Sequence, residues 1–181
     1  MLNTFVVHVE NKPGVLTRVS SLFRRRAFNI DSLTVGRTEK PEVSRMTITI
    51  DASPDEVRRI EASLYKLVNV LLVENITQEP AITRDLAMIK VAAQHEERSH
   101  VLQLANVFGA RVVDVAPDSL IIEITDTEDK IDGLLEVLRP FTVLEMVRTG
   151  IVAMRRGNKP TSLDNSLFLR HERASYGTNT L

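Results

Sequence analysis

Cysteine is absent from all 181 residues, which excludes disulfides, thiolate nucleophiles and thiolate metal sites. That absence sits easily with a cytoplasmic protein. Aromatic residues make up 4% and there is no tryptophan, so stacking platforms for nucleic-acid bases are scarce. The formal net charge of -1 supplies no electrostatic pull towards nucleic acid. No apolar run approaches the roughly 18–20 residues of a membrane span, and none resembles a secretory signal. The phosphate loops GxGxxG and GxxxxGK[ST] do not occur, nor does the GxSxG elbow. His95 and His100 are spaced i, i+5, which puts them on different helix faces, unlike the i, i+4 pair of HExxH. Carboxylates such as Asp31 and Asp51 fall near strand ends, without a second carboxylate that the sequence brings within catalytic reach. Neither a catalytic residue nor a metal ligand is assigned.

What remains is an ordinary globular composition, 43% hydrophobic and 26% charged, in 20.3 kDa. That size suits one large domain or two small ones. The most informative stretch is Glu10 to Asp31, ENKPGVLTRVSSLFRRRAFNID. An apolar strand, Thr4 to Val9, ends here with Phe5, Val7 and Val9 on one face and His8 on the other, a surface or interface position. Lys12-Pro13-Gly14 then turns the chain, because Pro fixes its φ and Gly accepts angles that other residues avoid. Val15, Leu16, Val19, Leu22 and Phe23 follow at helical spacing. Arg24-Arg25-Arg26 closes the helix, as cations do near the negative end of its dipole. A tight turn at a helix N-terminus presents unpaired N–H groups to which a carboxylate or phosphate is electrostatically welcome. Most such turns nevertheless bind nothing.

Further along, Leu33 and Val35, then Met46, Ile48 and Ile50, alternate as the two strands of a hairpin. Gly36 within the first of them suggests a bulge or a close backbone approach. Ser53-Pro54-Asp55-Glu56 is a capping box with Pro at the first helical position, ahead of Val57, Ile60 and Leu64. Val68 to Ile76 is a strand. The order β-α-β-β-α-β then repeats at an offset of about 80 residues, with a second capping box expected at Thr125-Asp126-Thr127-Glu128 and a short extra strand near Ile151 to Met154. The fold class expected is α+β, two tandem ferredoxin-like domains. Their spans are 2–78 and 85–155, with a linker at 79–84 and a mobile tail over 156–181. In this topology the second strand is an edge, exposed unless another chain pairs with it.

NKPGVLTRVSSLFRRRAFNIDSLTV, followed by SRMTI and KLVNVLLVENIT, resembles the ACT domain of the regulatory (small) subunits of acetolactate synthase. The resemblance covers about residues 2–155 and is carried most strongly by Phe5 to Val73; the second domain is similar in order and length more than in motif. It implies a non-catalytic chain that dimerises through its ACT domains. It also implies binding of a branched-chain amino acid, usually valine, at the seam, and association with a large catalytic subunit. Thiamine diphosphate, Mg²⁺ and FAD would belong to that partner, and no cofactor to this chain. The same resemblance implies that the small subunit raises the partner's activity and confers end-product inhibition. Against such a ligand, the N–H groups around Pro13, Gly14, Val15 and Leu16 suit the carboxylate. Asn11 and Asn29 suit its charged ends, and Leu16, Ile30 and Leu33 its side chain. Asn29 and Ile30 would come from the second copy. Two other readings stay open: an ACT-domain sensor acting on another enzyme or a transcription regulator, and a small ferredoxin-like enzyme.

Overall fold

The computed structural model describes residues 1–157. The tail expected over 156–181 therefore lies outside the described residues from 158 onward. The elements run β1 (Leu2–Glu10), α1 (Val15–Arg25), β2 (Ile30–Arg37), β3 (Val43–Asp51), α2 (Pro54–Leu64) and β4 (Val70–Asn75). They continue as β5 (Ala81–Ala92), α3 (His95–Val107), β6 (Arg111–Val115), β7 (Ser119–Asp126), α4 (Glu128–Leu138), β8 (Val143–Arg148) and β9 (Val152–Arg155).

The first sheet has the order β2-β3-β1-β4, with every neighbouring pair antiparallel. Alternation along β1 sends Phe5, Val7 and Val9 to one face, where they meet Val19, Leu22 and Phe23 of α1 and Ile60 and Leu64 of α2. Both helices thus cover the same side. The second sheet repeats the plan as β6-β7-β5-β8, with β9 added beside β5. Its core joins Ala87, Ile89 and Val91 to Leu120, Ile122 and Ile124 under Val101, Ala105, Ile131 and Leu134. The architecture is two ferredoxin-like βαββαβ repeats, as the element order predicts.

Several local expectations are modified. The chain divides into a unit formed by Met1–Ile82 with the stretch from Ala153, and a unit of Thr83–Val152. Residues 81–84, expected within a linker, already belong to β5. In the first unit Ala81 and Ala153 pack with Val6 and Ile76, on the β1 face turned away from the helices. The Arg45 guanidinium donates to the Ala153 carbonyl, and Arg155 pairs with Glu74 at 3.0 Å. Burying these apolar side chains gives the 81–82 and 153–155 stretches a reason to be ordered. The bulge of β2 lies between Ile30 and Ser32 rather than at Gly36, which pairs in register with Arg45. A Cβ at Gly36 would meet no atom within 4 Å. The Ser53 box forms as expected: Glu56 Oε2 accepts from the Ser53 N–H at 2.8 Å, and Ser53 Oγ from the Glu56 N–H at 3.4 Å. The second does not. Thr125 is still paired in β7, opposite Leu86, so α4 starts two residues later with Thr127 at its N-cap and no side-chain cap bond, while Asp126 accepts the Thr127 N–H at 2.8 Å and pairs with Lys130 at 2.7 Å.

Two backbone and side-chain features carry energetic consequences. Ala27, just past α1, holds φ at 56°, the left-handed conformation that a Cβ disfavours by roughly 1–2 kcal/mol. His8 is only 3% exposed and its Nδ1 has no hydrogen-bond partner among the described residues. It is not at the surface, because its cross-strand neighbours are Arg45 and Leu72 and Arg45 is itself fastened to Ala153. Burial first, and the Arg45 charge second, push its pKa down to about 4, against a small opposing pull from Glu39.

Ala27→Gly is expected to stabilise the chain by about 0.5–1 kcal/mol, the relieved strain less the entropy that glycine adds to the unfolded state, read from the urea midpoint. His8 supplies the pH dependence. Between pH 6.5 and about 4 the unfolded histidine binds a proton that the folded one refuses, so stability rises with pH. The contribution is complete above pH 6.5 and is lost on acidification, by at most about 3 kcal/mol. Urea titrations at pH 7 and pH 4.5 should differ less for His8→Met than for the parent; an equal difference would remove His8 from the account.

Candidate functional site

The site is built where β1 hands over to α1. Gly14 occupies the N-cap of α1 with φ 82°, ψ −7°, a left-handed conformation. A Cβ placed there would meet no atom within 4 Å, so the approach to this backbone is open. The cap carries no side-chain hydrogen bond and the first turn no acidic residue. α2, α3 and α4 differ: their first turns hold Asp55 and Glu56, Glu96 and Glu97, and Glu128 and Asp129. The positive end of α1 is thus left without a carboxylate of its own. Val15 N–H makes a long 3.4 Å bond to the Lys12 carbonyl. The N–H groups of Gly14, Leu16 and Thr17 have no acceptor among the described residues. This corner can take an anion the size of a carboxylate.

Neighbouring residues fix the corner from both sides. On one side the Asn11 N–H donates to the Glu42 carbonyl at 2.7 Å, and its side-chain amide donates to the Pro41 carbonyl at 2.9 Å. Asn11 therefore uses one donor to tie the turn to the β2–β3 hairpin, and keeps its Oδ1 as an acceptor. On the other side Asn69 is a hub. Its side chain donates to Glu10 and accepts from Arg18 at 2.6 Å, while its carbonyl accepts the Glu10 N–H at 2.9 Å. Lys12 pairs with Glu10 at 3.2 Å. Arg18, one turn into α1, and Lys12 add positive charge beside the free amides. Glu10, Arg18 and Asn69 were not among the sequence-derived candidates. Nothing in the spacing of Glu10 and Asn69 signals that β1 and the α2–β4 connection meet here.

The other candidate residues divide by position. Pro13, Gly14 and Leu16 are exposed at the corner, Leu16 at 44%. Val15 contributes its backbone only, because its side chain is buried in the core with Val19. Ile30 and Leu33 are half-buried on the helix side of the edge strand β2, packed against the core, and Asn29 is exposed just before them. In one copy Asn29 and Gly14 are not neighbours. β1 and β2 run in the same direction, since each is antiparallel to β3. Ile30 is level with Ile50 and hence with Asn3, at the start of β1. Gly14 follows the end of β1, some seven residues further on, or about 23 Å at strand rise. His95 and His100 lie exposed on α3, and no group of three or more His, Cys, Asp or Glu side chains that could hold a metal occurs among the described residues.

Comparison with known proteins places these features. Residues 84–157 match a family model described as the small subunit of acetolactate synthase, and residues 5–72 match one described as an AHAS small subunit-like ACT domain. A probable acetolactate synthase small subunit from Archaeoglobus fulgidus is 48% identical over 159 residues, 88% of this chain and 99% of that one. The acetolactate synthase small subunit of Mycolicibacterium smegmatis is 44% identical, covering 86% of this chain and 91% of its own length. The crystal structure of the Thermotoga maritima acetolactate synthase small subunit superposes with a TM-score of 0.82 at 38% identity, over 87% of this chain and 99% of that one. The chain belongs to the family of acetolactate synthase small subunits.

Proposed function

We propose that this chain is the regulatory subunit of a cytoplasmic acetolactate synthase, raising the activity of the catalytic subunit and making it sensitive to valine or another branched-chain amino acid. The observation that carries the reading is the bare, positively polarised N-terminus of α1 at Gly14. It has free amides, open space and no carboxylate of its own in the first turn. An amino acid's carboxylate fits the N–H groups of Gly14, Leu16 and Thr17, and Asn11 Oδ1 is an acceptor for its ammonium. Leu16, exposed beside them, offers apolar contact to a branched side chain.

A second copy completes the pocket. β2 is the edge of its sheet. If two β2 strands pair antiparallel about a two-fold axis, the start of one strand lies beside the end of the other. Asn29 and Ile30 of one protomer then come to the end of the sheet where its partner's Gly14 turn lies. Topology alone separates these residues within a single chain, so a site using both must bridge two chains. Effector binding would favour one arrangement of that seam. A differential affinity of about 1–3 kcal/mol between active and inhibited assemblies is enough for regulation. Linkage requires the inhibited complex to bind valine more tightly. Chemistry on thiamine diphosphate, with Mg²⁺ and FAD, stays with the catalytic subunit.

Purified catalytic subunit reconstituted with this chain should gain activity and lose it again as valine is added. Gly14→Asp should abolish the valine response while activation persists, because a carboxylate fills the approach and repels the ligand's own. The left-handed backbone makes Gly14→Ala the control: it adds roughly 1–2 kcal/mol of strain without the charge and should keep part of the response. Asn29→Ala should weaken inhibition less completely than Gly14→Asp. An assembly containing Gly14→Asp that valine inhibits like the parent would move the effector site elsewhere.

A further inference from the structure

Asn69, in the connection between α2 and β4, holds two oppositely charged side chains on the two polar atoms of one amide. Its Oδ1 accepts from Arg18 Nη1 at 2.6 Å, and its Nδ2 donates to Glu10 Oε2. Chemistry fixes that orientation, because a guanidinium only donates and a carboxylate only accepts. The backbone holds the residue in place as well, since its carbonyl accepts the Glu10 N–H at 2.9 Å. Both oxygens of Glu10 are engaged: Oε1 pairs with Lys12 at 3.2 Å, and the side chain is 17% exposed. Arg18 is in the opposite condition. It is exposed, it spends one N–H of its fork on a neutral acceptor, and no carboxylate among the described residues pairs with it. Cations on the other helices are held differently, Arg58 by Asp55, Lys130 by Asp126 and Arg139 by Glu136.

Arg18 stands one helical turn from Gly14, whose carbonyl accepts the Arg18 N–H at 3.1 Å. Positions four apart share a helix face, and a long side chain leans back towards the helix N-terminus, over the preceding turn. That turn carries the free N–H groups of Gly14, Leu16 and Thr17. We propose that Arg18 is the side chain that selects a carboxylate at this corner, and that Asn69 is the positioning residue that keeps its charge unspent by holding Glu10 off it. The inference rests on the corner being the effector site, and it names the group that the site discriminates: a carboxylate, against the corresponding amide. Free N–H groups alone can donate to the neutral carbonyl of an amide as well. A guanidinium with donors to spare adds a charge-assisted bond that the anion makes more strongly. Removal of the Asn69 side chain leaves a carboxylate short of a donor beside a guanidinium short of an acceptor. The two then pair, and the charge of Arg18 is spent inside the protein.

Calorimetry with valine and with valinamide on the full chain tests this. Arg18→Met should weaken valine binding by roughly five- to tenfold, the scale of one partly exposed charge-assisted contact, and narrow the preference for valine over valinamide. Asn69→Ala should weaken valine binding to a similar degree. Adding Glu10→Gln to Asn69→Ala should restore most of the loss, because a neutral side chain at position 10 leaves Arg18 charged and unpaired. A purely structural role for Asn69 gives the reverse, since the double variant lacks more of the network. Parent-like valine binding by Arg18→Met, or a double variant that binds no better than Asn69→Ala, would overturn the proposal. Gly14→Asp separates that result from failure of the reading beneath it. If Gly14→Asp also binds valine like the parent, the corner is not the effector site; if it alone loses valine, only the roles of Arg18 and Asn69 fall.

Discussion

A helix start that lacks both a capping side chain and a carboxylate is an unfinished electrostatic arrangement. α1 is in that condition at Gly14, while the first turns of α2, α3 and α4 each carry two acidic residues. Elsewhere the protein satisfies its helix dipoles with its own side chains, at a gain of a few tenths to about 1 kcal/mol per helix. At α1 that gain is left available to a ligand. The corner is nonetheless firmly placed. Asn11 fastens it to the β2–β3 hairpin and Asn69, through Glu10 and Arg18, to the α2–β4 connection. Free amides on a fixed backbone cost little reorganisation when an anion arrives.

The second constraint is topological. Ferredoxin-like strand order makes β1 and β2 run in the same direction with β3 between them. Elements at the end of one strand and at the start of the other are therefore separated by the length of the sheet. Adjustment of side chains cannot close a gap of about 23 Å. An antiparallel two-fold at β2 can, because it exchanges the ends. In the function proposed above, effector binding and subunit pairing are two aspects of one arrangement. A ligand that touches both chains reports directly on how they are paired.

Much of this was legible before any coordinates. Alternation in β1 identified Phe5, Val7 and Val9 as core, and the i, i+4, i+7, i+8 pattern identified Val15, Val19, Leu22 and Phe23. The Pro-Gly turn located the left-handed corner itself. Contacts between segments distant in the chain were not legible. His8 reads as a surface or interface residue from alternation alone, and only the Arg45–Ala153 contact beside it decides against the open surface. Residues 79–84 looked like a linker because Pro80 and the polar residues before it punctuate, whereas Ala81 is ordered by packing with Val6, Ile76 and Ala153. The Thr125–Glu128 box fails because Thr125 is still paired in β7, opposite Leu86, and the helix starts two residues later with Thr127 at its N-cap. Short-range patterns state what a residue can do, and competition with neighbours decides what it does.

The edges of the two sheets show the same logic in the backbone. An open strand edge is a hazard in any soluble protein, and β6 bears the usual defences of charge, brevity and a bulge. Among the described residues β2 and β8 are end strands of their sheets. They differ in what surrounds them. β2 is bulged near its start and bordered by Asp31 and Arg37, so its pairing must fit a defined register and two charges. β8 is six residues long and bulged at Leu144, and it holds Glu145 against Lys90 at 3.1 Å and Arg148 against Asp85 at 2.6 Å within its own sheet.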